Sequence, residues 1–361
     1  MCLIPFIIFE TNGCYFLLMD HTKYDFSTIR ELLTNDKKSI LILSHRNPDG
    51  DAIGASLALY ILFQKMGHQV EILIPNAYPG FLKWMKNANK ILIYTRKPKV
   101  ADKLLTQAEI VFALDFNDLS RIHEFNDKLK FSGSYKVLID HHPDPQEFAN
   151  LSISDQNTSS TAELVYDFIE TLGFSSLIDI DIAGCIYAGI MTDTGCFSFN
   201  SSQPETFRKV ASLLSCGIDK DFIYDRVYNN FSCDRMRLMG YCLDKKLEYL
   251  PEYHTAYMTL TQQELRDYNF RIGDAEGFVN LPLSIEGIRF AALLIEKKDM
   301  VKISLRSKGN FAVNKFAAEH FHGGGHKNAS GGESYESIQK TVDKFVNLLP
   351  EYKDELSSEQ I

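Results

Sequence analysis

No run of apolar residues here is long enough to cross a bilayer as a helix. The apolar stretch at the amino end, Leu3 to Ile8, falls far short of the roughly 20 residues that a span needs. No positive segment precedes it and no small-residue cleavage site follows, so no secretory leader is expected. The globular pattern begins soon after Met19, which is an alternative start. The sequence also lacks a CxxC pair. Its seven cysteines (2, 14, 185, 196, 216, 233 and 242) are scattered and odd in number. That argues against a disulfide framework or a zinc knuckle, and for reduced thiols in a cytoplasm. Basic charge is in deficit: 38 Lys and Arg against 47 Asp and Glu, a net charge of −9. A protein that coats long nucleic acid is thereby excluded. A small anionic substrate is not, because bound cations reverse the field locally. There is no internal repeat and no low-complexity linker.

What is present is a globular chain of 361 residues, 45% hydrophobic, long enough for two domains. From residue 38, short apolar runs alternate with helical stretches. Ile40–Leu43, Val70–Ile74, Ile91–Tyr94, Ile110–Leu114 and Val137–Ile139 read as strands, and Ala52–Met66 as a helix. The expected fold class is α/β: an amino-terminal parallel sheet flanked by helices, a helical connector, and a smaller carboxy-terminal α/β domain with a mixed sheet. The expected boundaries are an extension over 1–29, a first domain over 30–215, the connector over 216–250, a second domain over 251–350 and a polar tail over 351–361. Helices are expected over Thr161–Leu172, Ile180–Met191, Pro204–Ser215 and Cys233–Leu247. In the second domain, strands are expected near 254–260, 288–296 and 301–306, with helices near 313–321 and 335–349.

Two stretches dominate: Ser44-His45-Arg46-Asn47-Pro48-Asp49-Gly50-Asp51 and Asp140-His141-His142, each following an apolar strand. Carboxylates and imidazoles crowded at the ends of buried strands repel and are costly to desolvate unless a cation sits among them. Mixed His and Asp donors suit Mn²⁺, Zn²⁺ or Fe²⁺. Asp115 ends another strand, and Asp193 lies in Thr192-Asp193-Thr194-Gly195. Either alone reads more readily as a turn or capping residue.

Taken in order, His45-x-x-Pro48-Asp49-x-Asp51-x-x-Gly54, Asp115, Asp140-His141-His142 and Asp193-Thr194-Gly195 resemble the four motifs of the DHH phosphoesterase superfamily. Gly323-Gly324-Gly325-His326-Lys327-Asn328-Ala329-Ser330-Gly331-Gly332, with Ser304-Leu305-Arg306-Ser307 before it, resembles the signature of the DHH-associated carboxy-terminal domain. The length and the two-domain layout resemble the NrnA-type subgroup of nano-RNases that also act on 3′-phosphoadenosine-5′-phosphate (pAp).

The resemblance implies two divalent cations, Mn²⁺ by preference. His45, Asp49 and Asp115 would hold one, and Asp51, Asp115, His141 and Asp193 the other. It also implies catalytic roles for Asp140, orienting a histidine, and for His142, at the phosphate or the leaving oxygen. The alternative reading of His142 is a buried, hydrogen-bonded histidine. Substrate contacts would come from Arg306, Ser307, Gly323, Gly324, Gly325 and His326, and from Ser160 at a helix start, where capping explains the residue as well. Arg121, Lys302, Lys308 and Lys327 are further cations that also read as surface residues.

The implied reaction is hydrolysis of oligoribonucleotides of about two to five nucleotides to 5′-mononucleotides, and of pAp to AMP. The alternatives are a phosphodiesterase of c-di-AMP or pApA, and a nucleotide-binding protein without turnover. The substrate is a short oligonucleotide or nucleotide, with no long nucleic acid and no membrane; the connector offers a surface for a homodimer. Two departures from the pattern fall where substrate would lie. His322 stands where relatives often have a small residue, and Cys196 and Ser198 stand where many have a basic one.

Overall fold

The computed structural model describes residues 23–358. The alternative start at Met19, most of the extension over 1–29 and the last three residues of the tail lie outside the described residues.

Long apolar runs form strands in the first sheet because both faces are covered. The strands are β1 (Ser39–Ser44), β2 (Gln69–Ile74), β3 (Leu92–Ile93), β4 (Ile110–Leu114), β5 (Tyr135–Asp140) and β6 (Leu151–Ser154). All pair in parallel, in the order β3-β2-β1-β4-β5-β6. The helices Gly50–Lys65, Thr161–Thr171 and Ile180–Asp193 cover one face, with Phe63, Phe112 and Phe168 at its core. Ala101, Leu105, Phe116, Phe125 and Leu138 fill the other. The strand order reverses at β1, and in such sheets a crevice opens there beyond the strands' carboxyl ends. Register fixes what lines it. Ser44 pairs with Leu114, and Leu114 with Ile139, so His45, Asp115 and Asp140 follow on neighbouring strand ends.

The second sheet is mixed, in the order β11-β12-β10-β9-β8-β7. Its strands are β7 (Leu247–Leu250), β8 (Thr255–Leu260), β9 (Phe290–Glu296), β10 (Val301–Ser307), β11 (Gly324–His326) and β12 (Ala329–Ser334). Only β8 and β9 pair in parallel. The helices Val313–His320 and Ile338–Leu348 cover one face through Phe290, Phe316 and Phe345.

Some expected elements differ. The Cys233–Leu247 helix ends at Tyr241 and widens into a π turn over Cys242–Lys246 before β7. The helix Lys220–Tyr228 lies within the stretch expected to be helical, whereas strands β6, β7, β11 and β12 do not follow from the sequence.

A capping box ties the connector to the second sheet. The Thr261 hydroxyl accepts from the Glu264 N–H, and the Glu264 carboxylate accepts from the Thr261 N–H. The same carboxylate takes the Tyr241 hydroxyl at 2.6 Å and pairs with Lys246 at 3.0 Å. Burial pushes Glu264 up, but the bonds from Thr261, Tyr241 and Lys246 outweigh it and hold the acid at about 2. A depressed acid stabilises the fold above its unfolded pKa and loses that effect as pH falls towards the folded value. Glu264→Gln is therefore expected to cost about 1–2 kcal/mol at neutral pH. In urea unfolding at stepped pH, the gap from the unmodified protein should close as pH falls from 4.5 towards 2.

Candidate metal and phosphate site

His45 leaves β1 with its ring buried, and its Nε2 lies 3.2 Å from Asp115 Oδ2. Asp49 caps the Gly50–Lys65 helix, its Oδ1 accepting from the N–H groups of Asp51 and Ala52, both at 3.1 Å. Asp115 adopts a left-handed backbone, φ 65°, which turns the chain as it leaves β4. His141 Nε2 faces three carboxylates: Asp193 at 3.5 Å, Asp115 at 3.8 Å and Asp51 at 3.9 Å. Asp140 is fully buried, and its Oδ1 bonds His142 Nδ1 at 2.8 Å.

Four overlapping groups of donor atoms result among the described residues, and two of them fall within the implied ligand sets: His45, Asp49 and Asp115, and Asp51, His141 and Asp193. Within each, the atoms lie within 4.8 Å of one another. Asp115 sits between these two groups, touching His45 in one and lying 3.8 Å from His141 in the other. The chemistry of the set fits divalent cations. The separations around His141 Nε2 are too long for good hydrogen bonds and leave several anionic oxygens facing one donor.

Electrostatics point the same way. Burial, then the charges of Asp115, Asp193 and Asp49, push Asp51 well above the usual carboxylate range. Asp193 rises to about 6: burial drives it up, His141 pulls it down, and Asp49 and Asp115 push it up again. Burial also pushes Asp115 up, but the His45 bond and the charges of the three neighbouring histidines more than offset this and leave it depressed.

The second sheet closes over this cluster. The His326 ring stacks on His142 at 4.2 Å and lies 4.5 Å from His141. Burial, followed by the charges of His142 and His141, pushes His326 down to about 2, so it is neutral. Arg306 lies within electrostatic reach of Asp193, Glu276 and Asp49.

Other residues singled out from the sequence are occupied elsewhere. The Ser307 hydroxyl donates to Phe311 O at 2.7 Å and accepts from Asn328. Ser160 caps the Thr161–Thr171 helix through the Glu163 N–H. The Gly323 N–H donates to Ala317 O, and Gly324 and Gly325 lie in the β11–β12 ladder. The start of the Thr161–Thr171 helix is committed too. The N–H groups of Thr161 and Ala162 each donate to Asp51 at 2.7 Å, and the Thr161 hydroxyl donates to Asp115 Oδ1 at 3.0 Å.

Thr161 thus ties together a carboxylate from the first turn of the Gly50–Lys65 helix and one from the end of β4, a role that sequence reasoning missed. The signal was the Ser159-Ser160-Thr161 run, which reads as capping or as N–H groups facing substrate phosphate; those N–H groups face Asp51 instead. Below it, the buried Glu163 carboxylate accepts from Ser159, Thr206 and Lys209 and pins the helix start. Partners that orient metal ligands typically change affinity by about 10–100-fold. Thr161→Val keeps the shape and loses the hydroxyl. It is expected to weaken Mn²⁺ binding about tenfold in calorimetry, whereas Thr161→Ser should stay within about twofold of the unmodified protein.

A parallel α/β crevice lined by paired donor groups, under a second domain carrying Arg306 and His326, defines a metal-dependent hydrolase of phosphate esters. The comparisons place the chain. Residues 39–190 match the model of the DHH family, N-terminal domain, and residues 253–354 match the DHHA1 domain. A solved structure of an exopolyphosphatase-related protein from Bacteroides fragilis is 44% identical, with a TM-score of 0.88 over 93% of this chain and 99% of that one. The chain belongs to the DHH family, with a carboxy-terminal DHHA1 domain. It is similar to the bifunctional oligoribonuclease and PAP phosphatase NrnA of Thermus thermophilus: 29% identical, over 87% of this chain and 92% of the relative. It is also similar to the cyclic-di-AMP phosphodiesterase PdeA of Listeria monocytogenes, 25% identical over 90% of this chain but only 49% of that longer protein.

Proposed function

We propose that this protein hydrolyses oligoribonucleotides of about two to five nucleotides to 5′-mononucleotides and removes the 3′-phosphate of pAp. The observation that carries this is the paired donor cluster, bridged by Asp115 and facing His326 and Arg306. Similarity to a bifunctional oligoribonuclease and PAP phosphatase over nearly the whole of both chains supports the choice of substrate.

His45, Asp49 and Asp115 would hold one cation, and Asp51, His141, Asp193 and Asp115 the other, with Mn²⁺ suited to the mixed donors. When bound, such cations neutralise phosphate charge and bring the pKa of water towards neutrality. The remaining steps belong to side chains. Arg306 grips a non-bridging phosphate oxygen, for which its planar fork is matched. His142, held by Asp140, supplies a proton to the leaving oxygen. Neutral His326 stacks on His142 and shields that proton from bulk water. The five free cysteines among the described residues support a reducing compartment, the cytoplasm.

The test is parallel incubation with Mn²⁺ of a 5′-phosphorylated RNA length series, pAp, pApA and c-di-AMP, with Asp49→Ala, Asp51→Ala as the blank. Fast loss of the short RNAs and of pAp, absent in the blank, is expected. A clear preference for c-di-AMP would move the protein to the phosphodiesterase reading. No turnover of any substrate by the cation-loaded protein would reject both.

A further inference from the structure

The sheet face that carries Arg306 and His326 continues past them. Residues directly opposite in neighbouring strands share a face. Arg306 pairs with Ala329, and Ala329 with His326. Two residues along β10, Ser304 pairs with Gly331, and Gly331 with Gly324, so this row is nearly bare of side chains. Two residues further, Lys302 pairs with Glu333. Exposure confirms which side is open: Lys302 is exposed and Ser304 and Arg306 half-buried, whereas Ile303 and Leu305 are buried. At ~3.4 Å per residue, Lys302 lies roughly 14 Å from Arg306 along this track.

At the far end stand two rings. His322 leads into β11 with a left-handed backbone, φ 47°. Its ring lies 6.0 Å from that of Tyr335, which follows β12 and is 70% exposed. The Tyr335 hydroxyl donates to Glu333 at 2.9 Å. Arg46, exposed in the loop that follows His45, lies within electrostatic reach of that hydroxyl. The pair therefore lies within electrostatic reach of the loop that follows His45. It includes one of the positions where this chain departs from its family's pattern.

We propose that His322 and Tyr335 form a distal nucleotide subsite, on which a base of the oligonucleotide beyond the dinucleotide at the cleavage point stacks. The proposal rests on the reading of the protein as a hydrolase of short RNA. Glu333 and Glu276 offset the charge of Lys302 at this end of the track, so stacking rather than phosphate contact provides the binding. Stacking tolerates any base, because every base has a π face. The bare Gly324–Gly331 row lets the strand pass from His326 to the ring pair. A nucleoside next to the cleaved bond lies beside His326; the ring pair is reached only by a longer chain.

The experiment is kcat/KM for the unmodified protein, Tyr335→Ala, Tyr335→Phe and His322→Asn, each loaded with Mn²⁺, on pApA and on RNAs of three, four and five nucleotides. Asparagine tolerates the left-handed backbone at 322 and removes the ring. For Tyr335→Ala and His322→Asn, the expected result is about a tenfold loss on the four- and five-nucleotide RNAs, mainly through KM. Turnover of pApA should stay within about twofold, and Tyr335→Phe should restore the long substrates. Equal losses at every length, or none at any, would overturn the subsite and leave the hydrolase reading intact. If the unmodified protein cleaves no oligonucleotide, the functional reading falls and the subsite with it.

Discussion

Asp115→Asn is expected to leave the fold intact and to slow hydrolysis by about 10³-fold. Asparagine has the shape of aspartate and is among the few residues that enter the left-handed region readily, so φ 65° at this position costs it little. Its carbonyl oxygen still accepts from the Thr161 hydroxyl. What disappears is the charge at the point where the two donor groups meet, opposite His45 Nε2 and His141 Nε2. Steady-state kinetics with Mn²⁺, beside thermal unfolding in a chelator, separates the two effects. The midpoint in chelator should move by only a few degrees while kcat collapses. Turnover within tenfold of the unmodified protein would remove Asp115 from the centre of the site.

Gly189→Ala is expected to be severely damaging although the residue carries no side-chain chemistry. A Cβ there would lie 2.5 Å from the Ala162 Cβ and 3.0 Å from Asp51 Oδ1. Neither neighbour can yield cheaply. Ala162 is in the first turn of a buried helix, and Asp51 is held by the N–H groups of that helix. Overpacking of this kind costs about 3 kcal/mol, or a fall of roughly 4 °C in thermal midpoint for a chain of this size. Since relief of the clash requires Asp51 to move, Mn²⁺ affinity should fall as well. Gly240→Ala is the control: a Cβ there meets nothing within 4 Å, in a helix where alanine is the better residue. A Gly189→Ala protein as stable as this control would mean that the helices separate more easily than their contacts imply.

The chemistry-bearing half of the site was legible because its residues follow the strongest strand signals in the chain. Ile40–Leu43 and Ile110–Leu114 are continuous apolar runs, so His45 and Asp115 could be placed at strand ends without knowing the strand order. The second sheet was less legible. Ala329–Ser334 is built of small and polar residues and reads as a loop, yet it forms β12 because β10 and β11 flank it. Its glycines answer to packing: a Cβ on Gly332 would lie 2.7 Å from Phe321 O. Leu151–Ser154 is short and lies at a sheet edge, where little hydrophobic pattern is required. Contacts between elements far apart in the sequence left no local trace. Nothing in Thr161 itself announces that its hydroxyl meets Asp115, because that meeting is set by how the Thr161–Thr171 helix docks on the sheet.

The docking of that helix has an electrostatic consequence. Aligned peptide dipoles leave the equivalent of roughly +0.5 elementary charge at a helix's amino end. The Thr161–Thr171 helix turns this end on Asp51, at the most crowded point of the carboxylate cluster. A share of the neutralisation is therefore built into the backbone and stays in place whichever cation occupies the site. The acids thus keep one fixed counter-charge that no change of ion removes.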